Sequence, residues 1–156
     1  MKIGYGKDSH SFDFNNTNKK LILGGIIFEN YPPLSGNSDA DVVLHALTNA
    51  ISGVTCVNIL GPIADDLCIN KGIKDSSVYL KEALKYLNNM TICHISISIE
   101  CASPKITPMI QIMRENISKL LSIPESSVGI TATTGEDMTP FGKGLGIECV
   151  CVVTAI

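Results

Sequence analysis

Tryptophan is absent, arginine occurs once (Arg114), and aromatic residues make up only 5% of the 156-residue chain. A nucleic-acid surface needs a basic stripe or a stacking platform. A chain with formal charge −3 and no dense Lys/Arg cluster offers neither, so nucleic acid is not an expected partner. With a single arginine, a bound phosphate would be held by lysine, backbone N–H groups, hydroxyls or metal, not by an arginine fork. No apolar run reaches the length of a membrane span, so no membrane partner is expected. Met1 leads almost directly into a strand-like segment, with no visible signal or transit peptide. Six cysteines (Cys56, Cys68, Cys93, Cys101, Cys149, Cys151) form no Cys-x-x-Cys pair. Cys93, Cys149 and Cys151 lie in apolar, strand-like runs and read as small buried hydrophobes in a reducing compartment.

What is present suits a globular fold. Apolar residues make up 45% and charged residues 17%, and the length fits one domain over 1–156. The opening "MKIGY" reads as a strand, and "LILGGIIF" (21–28) as a short hairpin arm or bulged strand. "SDADVVLHALTNAISGV" switches to helical spacing, with Ser38 and Asp41 forming an S-x-x-D capping box. Residues 57–72 read as a loop, and a second helix is predicted from about Asp75. In "TICHISISIE", Cys93, Ile95, Ile97 and Ile99 fall on one face of a strand and His94, Ser96, Ser98 and Glu100 on the other. A third helix, "MIQIMRENISKLLSI", and two strands, "VGITATT" and "LGIECVCVVTAI", complete the chain. The order predicts an α+β fold: a four-stranded mixed sheet with helices on one face, plus a short N-terminal hairpin. The half-polar second face is expected to meet other subunits.

The chemistry-bearing residues are few. In "GKDSHSF", Asp8 and His10 are two apart, so on an extended strand they project from one face. His45 lies within "VVLHAL" on the first helix, where, taken alone, it reads as a core histidine bonded to a carbonyl. Together, one carboxylate and two imidazoles suit a catalytic zinc with an open fourth position. "GNSDAD" either caps the helix or lets Asn37 and Ser38 donate to a phosphate at its N-terminus. "TATTGEDMTPFGKGLG" reads as a turn between strands or as a phosphate and Mg²⁺ loop. A strand follows its glycines, which rejects a dinucleotide fingerprint. "CASPKITP" sets Lys105 between two prolines, either as a plain lead into a helix or as a rigid loop able to read a base edge. His94 reads as a polar strand residue and Arg114 as a solvated helix residue.

The "IGYGKDSHSF" strand, the "SDADVVLHA" helix, the "ASPK" turn and the "ATTGE…GKG" ending occur in this order in one family. Over essentially its whole length the chain resembles the 2-C-methyl-D-erythritol 2,4-cyclodiphosphate synthases of the non-mevalonate isoprenoid pathway. The resemblance implies a homotrimer with active sites between subunits. It also implies conversion of 4-diphosphocytidyl-2-C-methyl-D-erythritol 2-phosphate to the cyclic diphosphate and CMP, with no protein nucleophile. By matching position, Asp8, His10 and His45 become ligands of Zn²⁺ or another divalent transition metal, and Glu136 the ligand of Mg²⁺ or Mn²⁺. Thr133 and Thr134 match hydroxyls beside the nucleotide phosphates, with Lys105 nearby. The turn containing Cys101, Pro104, Lys105, Ile106 and Thr107 matches the segment that reads cytosine. Departures from the family pattern are Asn37 in place of histidine, Asn58 in place of aspartate and Lys143 in place of arginine; Asp65 matches an aspartate of the loop that follows. The expected location is a bacterial cytoplasm, or a plastid-type organelle after removal of a transit peptide.

Overall fold

A computed structural model describes residues 1–156. β1 (Lys2–Ser11) alternates, with Gly4, Gly6, Asp8 and His10 turned inward and Ile3, Tyr5, Lys7 and Ser9 outward. It pairs antiparallel with β6 (Gly146–Ala155), Lys2 opposite Ala155 and His10 opposite Ile147. β6 pairs antiparallel with β4 (Ile92–Glu100), and β4 runs parallel to β5 (Val128–Thr133). The sheet is therefore four-stranded and mixed, as the sequence predicts, and its strand order is β1-β6-β4-β5. Helices α1 (Val42–Thr55), α3 (Ser76–Leu84) and α4 (Ile110–Leu121) cover one face. The core lies between them, where Ile95, Ile97, Ile99, Cys149, Cys151 and Val153 are shut off from solvent together with Leu47 and Ile51 of α1.

The two glycines of β1 decide where α1 can lie. A Cβ on Gly4 would fall 1.9 Å from the Ala50 carbonyl oxygen, and one on Gly6 would fall 2.0 Å from that of Ala46. Hydrogen at these positions lets helix and strand meet backbone to backbone. Because Gly4 meets Ala50 and Gly6 meets Ala46, the two elements run in opposite senses. The next inward residues of β1, Asp8 and His10, therefore approach the first turn of α1.

The start of that helix differs from expectation. Ala40 has a left-handed backbone (φ 56), so the helix cannot extend back to Ser38. Asp41 is the N-cap, accepting the Val43 and Leu44 N–H groups at 3.1 and 3.0 Å. Ser38 Oγ accepts the Ala40 N–H, at 3.1 Å, rather than the Asp41 N–H, and no capping box forms. Asp41 also accepts the N–H groups of Gly24 and Gly25 at 2.8 and 2.6 Å. These glycines turn a two-residue hairpin between β2 (Leu21–Leu23) and β3 (Ile26–Phe28), both with positive φ. One buried carboxylate thus fastens the hairpin to the helix start.

Three further readings are corrected. Residues 57–72 are not all loop: Pro62 opens a short helix, α2 (Pro62–Asp65), and a wide turn follows, with the Lys71 N–H on the Asp66 carbonyl at 3.2 Å. Cys93 is exposed, because the register passes from Ile92–Ala155 to His94–Thr154 and leaves it as the extra residue of a bulge. Cys56 is also exposed, at the left-handed end of α1, whereas Cys101, Cys149 and Cys151 are buried. Arg114 is not simply solvated. Its guanidinium donates to the carbonyls of Val128 and Glu125 at 2.8 and 3.1 Å, tying α4 to the start of β5.

Candidate functional site

Asp8, His10 and His45 meet where β1 leaves the helix start. Asp8 Oδ2 lies 3.0 Å from His10 Nε2 and 3.0 Å from His45 Nδ1, and the three candidate ligand atoms fall within 4.8 Å of one another. Burial pushes the Asp8 carboxyl up, but the two imidazoles outweigh it and bring it down to about 2. The same carboxylate raises His10 above its ordinary value against the opposing effect of burial. His10 Nε2 is shut off from water and makes no aligned hydrogen bond, although Asp8 is near. A buried nitrogen lone pair without a donor, beside a carboxylate and a second imidazole, is a donor set that fits a divalent metal.

The triad opens into a cavity of about 400 Å³, whose lining includes Asp8, His10, Asn37, Ser38, His45 and Asp65. Asn58 stands just behind the lining: a Cβ on Gly61 would fall 2.9 Å from its amide nitrogen. A second cavity of about 330 Å³ is lined by Cys101, Pro104, Lys105, Ile106 and Thr107 of the turn after β4, and by Thr133 and Thr134 at the end of β5. Here the Cys101 thiol, pushed up to about 11 by burial, donates to the Pro104 carbonyl at 3.4 Å. The two cavities share no lining residue.

Glu136 and Lys143 lie in neither cavity; both are exposed on the loop between β5 and β6. That loop is held from within. Thr133 and Thr134 hydroxyls accept the N–H groups of Gly135 and Glu136 at 3.2 and 3.4 Å, and Thr139 donates to the Glu100 carboxylate. Glu136 and Asp137 both have left-handed backbones (φ 46 and 62), an arrangement that costs energy in residues with a Cβ. Residues that the sequence did not single out also line this cleft, Cys68 and Tyr79 among them. Ser76, at the start of α3, touches the His45 ring from behind at 2.8 Å. Its only trace in the sequence is an Asp-Ser pair at a helix start, which plain capping also explains.

The YgbB family model matches residues 1–156. The chain belongs to the YgbB family. It is 51% identical over 154 residues to a 2-C-methyl-D-erythritol 2,4-cyclodiphosphate synthase of Chlamydia caviae, a match covering 98% of this chain and 88% of the relative. A solved synthase of that name from Plasmodium vivax superposes with TM-score 0.82 at 31% identity, covering 99% of this chain and 97% of that one. The IspF of Plasmodium falciparum in complex with CDP superposes with TM-score 0.82 at 27% identity, covering 99% of this chain and 95% of that one. No helix of the chain is long and apolar enough to cross a membrane.

Proposed function

We propose that the whole chain, 1–156, acts as one unit, a 2-C-methyl-D-erythritol 2,4-cyclodiphosphate synthase. It converts 4-diphosphocytidyl-2-C-methyl-D-erythritol 2-phosphate into the 2,4-cyclic diphosphate and CMP. The observation that carries this is the convergence of Asp8, His10 and His45 in a cleft, within a chain 51% identical to a relative of that name. An oxygen of the substrate's 2-phosphate forms a bond to the β-phosphorus. The bond from that phosphorus to the oxygen bridging it to the α-phosphate breaks, and CMP departs with the electron pair. Since the substrate supplies its own nucleophile, the protein's task is to fold it and offset its negative charge.

Asp8, His10 and His45 would hold Zn²⁺ or another divalent transition metal, and Glu136 would hold Mg²⁺ or Mn²⁺. Bound there, such ions supply Lewis-acid charge to the phosphate oxygens, which suits a chain with one arginine turned to a structural use. Asn37 and Ser38 donate to phosphate at the cleft mouth, while Asn58 and Asp65 bond the sugar and close the loop over it. The turn from Cys101 to Thr107 reads cytosine mainly through its backbone. Lys105, Thr133, Thr134 and Lys143 contact the diphosphate. The family resemblance implies a homotrimer with active sites between neighbouring subunits whose open sheet faces meet, and two cavities that share no lining residue on one chain suit such a divided site. A soluble setting is assigned, either a bacterial cytoplasm or a plastid-type organelle.

Phosphorus NMR of the purified chain with substrate, Zn²⁺ and Mg²⁺ tests this reading. Cyclic diphosphate with CMP is expected. Open-chain phosphates with CMP would point to a metal hydrolase and overturn it, and so would bound but unconverted substrate.

A further inference from the structure

The outer edge of the His45 ring is as closely specified as the edge that faces Asp8. Nε2 lies 2.8 Å from Ser76 Oγ. That hydroxyl is hydrogen-bonded in turn to Asp39 Oδ1. The Asp39 carboxylate also accepts the Ser76 N–H at 3.0 Å and the Asp41 N–H at 3.1 Å. A serine hydroxyl carries one proton, and an ionised carboxylate can only accept. The Ser76 proton therefore points at Asp39, and its oxygen meets His45 as an acceptor. It follows that the imidazole proton sits on Nε2. The Nδ1 lone pair then faces Asp8 Oδ2 at 3.0 Å, two acceptors that a cation between them reconciles.

Nothing else near Nε2 competes for this role. Ser38 Oγ is farther off, at 3.5 Å, and already accepts the Ala40 N–H. Ser76 is fully buried, so water does not replace it. Asp39 and Ser76 are 37 residues apart, and the Asp39 N–H on the Lys74 carbonyl at 2.9 Å joins the same two segments again.

We propose that Asp39 and Ser76 are positioning residues of the metal centre: the relay Asp39–Ser76–His45 locks the His45 tautomer and ring plane so that Nδ1 is the metal-binding atom. This rests on the reading of Asp8, His10 and His45 as metal ligands. Outer partners of this kind orient the ring and raise its basicity, and their loss typically weakens metal binding by about 10- to 100-fold.

Three measurements on the full chain test it. Zn²⁺ affinity, measured in competition with a chromophoric chelator, should fall about 10- to 100-fold in Ser76→Ala and by a smaller factor in Asp39→Asn, which keeps one acceptor oxygen. The visible bands of bound Co²⁺ should shift in both variants, which a loss of general stability would not produce. In the zinc-loaded parent chain, nitrogen-15 NMR should find His45 Nε2 protonated and Nδ1 metal-bound. The last readout needs no variant, so it decides the matter even if Ser76→Ala does not fold. A metal-bound Nε2, or Ser76→Ala binding zinc as tightly as the parent with an unshifted cobalt spectrum, overturns the relay alone. A parent chain that binds neither Zn²⁺ nor Co²⁺ overturns the metal reading and the relay together.

Discussion

The two cavities of this chain are built on opposite plans. The first draws Asp8 and His10 from a strand, His45 from a helix packed across it, and Ser76 from a third element. Its side chains are held by one another, and most are at least half-buried. The second is lined by one turn and one strand end, and its neighbouring loop leaves Glu136 and Lys143 turned outward. A cavity whose polar groups already converge can bind a metal within one chain. A pocket of backbone, hydroxyls and Lys105, with Glu136 and Lys143 outside it, is on the proposed reading one part of a divided site. The difference teaches that metal binding and turnover should be separable in this protein.

The sharpest break is His45→Ala. It should abolish zinc retention and lower turnover by well over the roughly 100-fold that loss of an outer partner costs, since a ligand itself is removed. Metal analysis beside phosphorus NMR checks this; full turnover without zinc would end the assignment. Next comes the open sheet face, where Tyr5 is 60% exposed and stands opposite Val152, which stands opposite Ser96. Val152→Glu places a charge at the centre of the proposed subunit contact, and burying an unpaired charge is prohibitive. The variant should run as a monomer by light scattering, lose activity and keep parental zinc affinity. An active monomer would erase the distinction between the cavities. Smaller still is Lys105→Ala, which removes one charge-assisted bond in the second pocket. Substrate KM should rise roughly 10- to 150-fold, the equivalent of about 1.5–3 kcal/mol, with zinc content unchanged.

How far the sequence reveals these plans follows from which forces are local. Strand alternation placed Asp8 and His10 together, and helical spacing put His45 on α1, but neither showed that they meet. The signal for that was present in a different guise. Glycines two apart at 4 and 6, with alanines four apart at 46 and 50, mark a backbone-to-backbone crossing; Asp8 and His10 continue the strand row, and His45 adjoins Ala46 on the helix. Cys93 was misplaced because a single bulged residue inverts the alternation and leaves no compositional mark. Ser38 took the cap in the sequence reading because the left-handed Ala40 depends on tertiary contacts, and the hairpin donors that claim Asp41 lie 17 and 16 residues away. Asp39 and Ser76 pair across 37 residues for the same reason. Glu136 and Lys143 were legible from pattern only as members of a turn or a phosphate and Mg²⁺ loop; their specific roles came through family resemblance, since on this reading their partners belong to another subunit.

The finest test is confined to the first cavity and uses pH. In the metal-free chain Asp8 raises His10 above its ordinary value near 6.5. A group whose folded pKa is raised contributes stability that is complete below the unfolded value and lost as pH climbs through the folded one. Asp8 runs the other way: lowered from 3.8 to about 2, it contributes stability present above 3.8 and lost only as pH falls through about 2. Between pH 6 and 8 the contribution that changes within this pair is therefore that of His10, and it declines as pH rises. Zinc competes with the His10 proton for the same buried edge, so it binds more tightly as that proton leaves. The rise in Tm on adding Zn²⁺ should accordingly grow from pH 6 to pH 8, by a few degrees for each ~1 kcal/mol of linkage in a domain of this size. CDP, which the proposed function assigns to the second cavity, would displace no His10 proton and should give a Tm increment without that trend. Melting curves with each ligand at both pH values decide it. A zinc increment that stays flat or shrinks with pH would mean that His10 does not surrender a proton to the metal, and the first cavity would lose one of its three ligands.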